Sequence, residues 1–298
     1  MSGIMKVQPF DRLLAWILQE YAQNGTIFGI HRSLFYTPMP DAPFAVEEIF
    51  GDYLATPIGP AAGPHTQLTQ NILCAWLCGG RFIELKTVQI MDELDIPRPC
   101  IDVAPSGEGY NVEWSQELKL AQSAEEYVKA WGLIHVLRRL LGFEKAPLGT
   151  IFNMSVGYNL EGITSPPMQR FMDRLQDASE EIAELQSILA HFPSLAGLQI
   201  PGRLTNSVTL STMHGCPPDE IEQIARHMLE ERGLHTIVKL NPTLLGQDAV
   251  MRILHDNLGY RDIHIPDAVF EHDLHYDRAV SLIKRLKHIA SEDRKSVV

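Results

Sequence analysis

Short β-rich runs alternate with helical patterns from residue 53 to residue 290, and polar residues recur at the ends of those runs. Together these predict an α/β fold of the (β/α)8 TIM-type barrel class. The strand-end residues are Lys86, then Asn153 and Ser155, then Ser211, then Lys239 and Asn241. A doubly wound sheet would use one or two strand ends at a switch point, so a spread over four ends favours the barrel. About six strands are legible where a closed barrel has eight. The barrel is therefore expected to be incomplete, behind an N-terminal helical cap.

Residues 1–50 read as the cap. Phe10, Leu13, Leu14, Ile17, Leu18 and Tyr21 recur at helical spacing, and Asn24-Gly25 stops that helix. Residues 28–44 carry Pro38, Pro40 and Pro43 and are expected to be extended, with no regular element. The barrel, residues 51–298, opens with a strand at 53–58 that runs into Gly59-Pro60-Ala61-Ala62-Gly63-Pro64. A helix over 67–77 stops at Gly79-Gly80, and an apolar strand at 82–85 delivers Lys86-Thr87. A Pro-rich loop with Arg98, Pro99 and Cys100 follows. A helix is then expected over 123–141, with Ser123 as N-cap and Glu126 three residues on, the spacing of a capping box. The third strand, 150–154, ends in Asn153 and Ser155. Ser165-Pro166-Pro167 opens a helical pattern to about His191, since proline suits a first helical turn.

Residues 206–241 form a βαβ unit. A strand at 208–210 leads to a polar loop with Ser211, His214 and Cys216, and a helix opened by Pro217-Pro218-Asp219-Glu220 stops at Gly233. The strand at 236–238 then delivers Lys239 and Asn241. A helix over 247–258 ends at Gly259, residues 261–265 are expected to be the sixth strand, and a basic amphipathic helix covers 277–290. The barrel is expected to stop there, before its last strands.

Composition narrows the function. The chain has 298 residues, a formal net charge of -12 and a pI near 5.4, which argues against a general nucleic-acid or anionic-membrane surface. No apolar run approaches the ~20 residues of a membrane-spanning helix, and the N-terminus lacks the order of a signal peptide. Four cysteines, Cys74, Cys78, Cys100 and Cys216, have neither disulfide-framework density nor Cys-x-x-Cys spacing, so a reducing cytoplasm is expected.

Several residues have chemistry to offer. Lys86 and Lys239 sit at the polar ends of apolar strands. A lysine there binds a phosphate or ring oxygen as a cation, or forms a Schiff base if burial lowers its pKa; the plain alternative is a lysine reaching solvent. Cys216 precedes a helix N-terminus, which lowers a thiol pKa, and His214 lies two residues away. It reads as a nucleophile, a general acid or base, or a small residue in a tight turn. Cys74 and Cys78, at i and i+4, are expected to share a core-facing helix flank with Leu77, and with Cys100 to be inert. Small residues at 59–63 let a flat or phosphorylated ligand approach the backbone, although this is no Walker loop or dinucleotide fingerprint. Asn153, Ser155 and Asn241 suit the lactam or imide edge of a flat heterocycle, or tie down loops. His264, Glu271, His272, Asp273 and His275 have metal-ligand character but irregular spacing, and are expected to be a solvated loop and helix start.

The stretch 53–89, YLATPIGPAAGPHTQLTQNILCAWLCGGRFIELKTVQ, resembles the first two strands of the dihydroorotate dehydrogenase and dihydropyrimidine dehydrogenase family, a (β/α)8 barrel with FMN at its mouth. The resemblance is greatest to the barrel region of large flavin-and-iron-sulfur subunits of the selenate reductase type. It covers essentially the whole chain, including FNMSVGYNLEGI, TLSTMHGCPPDEIE and VKLNPTLLG. It implies that Ala61, Ala62 and Gly63 line the flavin, that Lys86 and Thr87 bind FMN near its ring and ribityl chain, and that Lys239 contacts the ring. Asn153 would face substrate or flavin, with Ser211 and Asn241 as further substrate-binding residues. Cys216 would exchange a proton with a flat heterocyclic or other reducible substrate while hydride passes to or from the flavin. Two departures stand out. Thr209 occupies a place where the family often has Asn, and the Gly-rich loops that hold the FMN phosphate have no counterpart here. Iron-sulfur clusters and FAD/NAD(P)H sites would belong to the remainder of such a subunit or to redox partner subunits, since the cysteines here have no cluster spacing.

Two other readings compete with a flavin oxidoreductase. One is a Schiff-base lyase or aldolase on the same barrel using Lys86 or Lys239. The other is a non-catalytic N-terminal fragment whose open sheet edges need cover.

Overall fold

The structure is a computed structural model describing residues 5–39, 42–91, 101–103, 109–111, 115–212, 216–292 and 295–298. It divides into two compact units, Met1–Ser155 with Thr164–Ser207, and Val156–Ile163 with Val208–Val298. The Pro-rich loop with Cys100, and His214, lie outside the described residues.

The first unit begins with α1 (Phe10–Asn24), which buries Phe10, Leu13, Leu14 and Ile17 along one face. Gly25 caps it in the left-handed region, φ 66°, and its N–H bonds to Tyr21 O at 3.0 Å. The next stretch is not wholly irregular. A hairpin of β1 (Thr26–Ile27) and β2 (Ile30–His31) runs into a 3-10 turn, Arg32–Leu34.

The strand expected at 53–58 divides into two roles. β3 (Val46–Ile49) and β4 (Asp52–Leu54) pair antiparallel. Residues 58–60 then run parallel to β5 (Phe82–Glu84): Ile58 O accepts from Arg81 and Phe82 N–H, and Pro60 O from Glu84 N–H. Pro60 has no N–H to return, so half of the ladder is missing. Gly59 makes the approach possible, because a Cβ there would sit 1.7 Å from Phe82 O. The small residue thus makes room for the chain's own backbone.

α2 (Thr69–Leu77) links this edge to β5, and β6 (Ile101–Val103) pairs antiparallel with β7 (Gly109–Asn111). β8 (Ile151–Val156) lies parallel to β5 in the register Phe82↔Ile151, Ile83↔Phe152 and Glu84↔Asn153. Every residue of β8 is buried, as expected for a parallel strand covered on both faces. α5 (Pro166–Gln176) and α6 (Ser179–Leu189) follow as the proline start foretells, with Ser165 preceding the first turn.

α3 (Leu120–Leu140) is the core helix of this unit. It starts three residues before Ser123, so Ser123 and Glu126 form no capping box. Both are fully buried inside the helix, and at the true start the Gln122 side chain accepts the Lys119 N–H at 3.0 Å. Cys74 and Cys78 also differ from expectation. The flank they share turns outward, leaving Cys74 partly buried and Cys78 exposed, because Ile72, Leu73, Trp76 and Leu77 form the buried face of α2.

His135 of α3 gives this unit an acid limit. It is buried, packs edge-on against Trp131 at 5.2 Å between centroids, and burial together with Arg138 lowers its pKa to about 4. Between the ordinary value of 6.5 and 4, the unfolded chain binds a proton that the folded chain refuses. Stability therefore falls as pH falls through that window. The loss attributable to His135 is expected to reach roughly 3 kcal/mol at its lower end. Urea midpoints measured at both ends of the window should separate less in His135→Gln than in the parent; equal separations would contradict the assignment.

The second unit holds α4 (Leu160–Ile163), whose Leu160 N–H donates to the Glu220 carboxylate at 2.5 Å. β9 (Ser207–Ser211), all buried, leads to α7 (Ile221–Arg226), which continues as a π turn through His227–Glu231. The helix thus begins at Ile221 rather than at the prolines. β10 (His235–Lys239) is β9's neighbour in the sheet. α8 (Gln247–Arg252) ends in a second π turn, Ile253–Asn257, and α9 (Asp267–His272) and α10 (Tyr276–Glu292) follow. α10 buries Ala279, Leu282, Leu286 and Ala290, and its Arg278 and Arg285 pair with Asp219 and Glu222.

The sixth strand is not at 261–265. Those residues are irregular and almost wholly exposed, and Pro266 follows. The extra parallel segment is the chain's end instead: Val297 pairs in parallel with Thr236, and Val238 N–H donates to Val298 O at 2.9 Å. Among the described residues, no helix is long and apolar enough to cross a membrane.

Candidate functional site

The predicted site residues fall into one group in each unit. In the first, the β5–β8 register carries past the end of β5: Leu85 N–H donates to Asn153 O at 3.0 Å and Val88 N–H to Ser155 O at 3.1 Å. This alignment places Lys86 and Thr87 beside Asn153 and Ser155 at the carboxyl ends of two parallel strands. All four are buried, none more than 3% exposed. The Thr87 and Ser155 hydroxyls hydrogen-bond at 2.7 Å, and Lys86 Nζ reaches Thr87 O at 3.4 Å. Tyr127 OH donates to Lys86 O at 3.3 Å, and burial raises that phenol's pKa. His65 is pushed toward its neutral form, chiefly by burial and further by the charge of Lys86.

Ala61, Ala62 and Gly63 flank this layer, but two of their donors are used internally. Ala62 N–H donates to the Glu84 carboxylate at 2.9 Å, and Gly63 N–H to Thr66 Oγ1 at 3.2 Å. The loop is therefore held in place by strand β5 and by its own 3-10 turn, Pro64–Thr66.

Gln89 is a further residue of this group that the motif reading missed. It is fully buried, its N–H donates to Gln116 Oε1 at 2.9 Å, and its Oε1 accepts from Met91 N–H. Its Nε2 has no hydrogen-bond partner among the described residues. The available signal was a lone amide between Val88 and Ile90, three residues beyond Lys86.

In the second unit, Ser211 is buried at the end of β9, whereas Lys239 at the end of β10 is exposed. Thr212 Oγ1 donates to Lys239 O at 2.7 Å, fastening the two strand ends together. Asn241 Nδ2 donates to both oxygens of Asp273, at 3.1 and 3.2 Å, and Thr243 donates to the same carboxylate. Asp273, read from sequence among metal-ligand types, thus holds a loop. Among the described residues no three His, Cys, Asp or Glu side chains gather as a metal site.

Cys216 lies in a cleft with Thr212, Ile221, Asn241, Thr243 and Asp273, and is 7% exposed. The free space is about 10 Å³, room for one water molecule. Its ionisation runs opposite to the sequence expectation. Burial first, and then the Glu220 carboxylate, push the thiol up to about 12. The helix that was expected to lower it starts at Ile221, and a negative side chain stands between. At neutral pH Sγ holds its proton, so the group can give a proton but is not a ready thiolate.

A family profile described as "Oxidoreductase YgfK, N-terminal TIM-barrel domain" matches residues 28–298. The chain is 47% identical over 312 aligned residues to "Putative oxidoreductase YgfK" of Escherichia coli K12, and equally to that of Escherichia coli O157:H7. The alignments cover 98% of this chain and 30% of each relative, so the chain spans less than a third of their length. A solved chain titled as DHODH in complex with ferulenol from Eimeria tenella aligns over 99% of this chain and 80% of its own, at 16% identity and a TM-score of 0.40. That superposition is too loose to argue from.

Proposed function

The chain belongs to the family of YgfK N-terminal TIM-barrel oxidoreductase domains, and from that premise we propose that it is an FMN-dependent oxidoreductase domain in which Cys216 supplies or receives the substrate proton. The observation that supports this most is the buried polar layer of Lys86, Thr87, Asn153 and Ser155 at adjoining strand ends. Burying a cation and three hydrogen-bonding groups is costly, and on this fold the carboxyl ends of strands are where chemistry sits.

The residues suit a flavin. Gln89 Nε2 is a buried donor with no acceptor among the described residues, and a flavin ring is edged with acceptors. Lys86, Thr87 and Gln89, with the small residues 61–63 and Lys239, would hold it. Bound FMN would supply two-electron hydride transfer. Lys86 contributes positive charge, which favours the anionic reduced ring. Asn153, Ser211 and Asn241 would orient a flat heterocyclic or other reducible substrate, and Cys216 Sγ would keep a proton ready for it. Iron-sulfur, FAD and NAD(P)H sites would lie outside these residues, and selenate is one acceptor for an assay panel.

Flavin content tests the reading. Protein purified at its natural length is expected to bind FMN in preference to FAD. Lys86→Met should weaken FMN by about 10- to 100-fold, for loss of a charge-assisted hydrogen bond of roughly 1.5–3 kcal/mol. Absence of FMN from the parent protein would favour the non-catalytic reading, and borohydride trapping of a carbonyl compound on Lys86 or Lys239 would replace this reading with the Schiff-base one.

A further inference from the structure

A cavity of about 170 Å³ opens in the first unit where β8 begins, at the end away from the Lys86 layer. That is of the order of a cavity that accepts benzene, so it suits a molecule of roughly six to ten non-hydrogen atoms. Trp131, Leu148 and Leu204 form its apolar side. The indole is fixed there. Its N–H donates to Pro201 O at 2.9 Å, and its ring packs edge-on against Phe152 and His135, each 5.2 Å away between centroids. This wall is in place before anything binds, which spares a ligand the cost of ordering it.

The polar groups around the cavity divide into two sets. Thr150 and Thr205 are committed to the fold: Thr150 Oγ1 accepts from Trp76 Nε1 at 3.0 Å, and Thr205 Oγ1 donates to Ser207 O at 2.9 Å. Asp52, Arg203 and Asn206 keep capacity to spare. Asn206 Nδ2 donates to Phe50 O at 2.7 Å and to Asp52 Oδ2 at 3.2 Å. This sets the two side chains together and leaves Asp52 Oδ1 and Asn206 Oδ1 with no donor among the described residues. Arg203, on the same segment as Asn206, has no hydrogen-bond or ion-pair partner among the described residues, Asp52 included. An anion and a cation thus line one cavity without pairing to each other. We propose that the cavity binds a small apolar amino acid or a zwitterion of that size. The ammonium would sit between the Asp52 and Asn206 oxygens, the carboxylate on the Arg203 guanidinium, which suits it bidentately, and the side chain against Trp131. The inference rests on this cavity alone and stands whether or not FMN binds.

Isothermal titration calorimetry tests it on protein purified at its natural length, with L-valine, L-leucine and L-phenylalanine as probes. At least one is expected to bind at millimolar concentration or below. Its amide, which lacks the carboxylate, and its N-acetyl derivative, which lacks the ammonium, should each bind about 10- to 100-fold more weakly. These arms change nothing in the protein, so they decide the matter even if a variant fails to fold. Arg203 is exposed, and Arg203→Met should weaken the free amino acid as removal of the carboxylate does, without weakening the amide further. Asp52→Asn should do the same for the N-acetyl derivative. No binding by any of the three probes, equal binding of the amino acid and its derivatives, or affinity unchanged in either variant would overturn the proposal.

Discussion

Glu126→Ala is expected to lower the stability of the folded chain by about 3–5 kcal/mol. Glu126 is completely buried, and one carboxylate oxygen accepts the N–H of Thr69, the first residue of α2, at 2.7 Å. The other pairs with Lys129, itself 4% exposed. Alanine removes the acceptor and leaves the ammonium buried with Gln8 O at 2.8 Å and the largely exposed Glu125 at 3.3 Å. Breaking one side of a buried pair costs more than deleting both. Glu126→Gln keeps an acceptor for Thr69 and should lose less, and Glu126→Ala/Lys129→Met should recover part of the loss. Urea midpoints of the three variants decide it; a double variant as unstable as the single one would mean that the stranded charge is not the cause.

Cys216→Ala is expected to lower turnover of a reducible substrate about 10²- to 10⁴-fold, the usual worth of a positioned proton donor. Flavin binding should be unchanged, which separates a proton role from a folding defect. Because burial and Glu220 push the thiol up to about 12, Cys216 should also react with iodoacetamide at neutral pH more slowly than the exposed Cys78. Faster alkylation of Cys216 would mean a thiolate is present, and its assignment as proton donor would fail.

Much of the architecture was legible because local chemistry dictates it. Gly25 ends α1, Pro166 begins α5, and the apolar runs ending in Lys86, Asn153, Ser211 and Lys239 become β5, β8, β9 and β10. Glycine, proline and unbroken apolar patterns act through their own backbone and neighbours, so they read the same in a string as in a fold. Capping by Ser123 failed for the opposite reason. The serine-to-glutamate spacing is a local pattern, but an earlier start and the demand of Thr69 and Lys129 for Glu126 drew both residues into the core.

The sequence by itself determined the four parallel strands β5, β8, β9 and β10 in their order, and the polar residues at their ends. Tertiary structure alone decided what those residues are. It buried Lys86 and exposed Lys239, two lysines with the same strand-end signature. It gave the bare face of Gly59 to Phe82 O, and it chose residues 295–298 rather than 261–265 to run beside β10. It also reversed the ionisation expected of Cys216, because a thiol's proton affinity follows the water and charge around it. Burial and the Glu220 carboxylate belong to the packed fold, whatever helix the neighbouring letters announce.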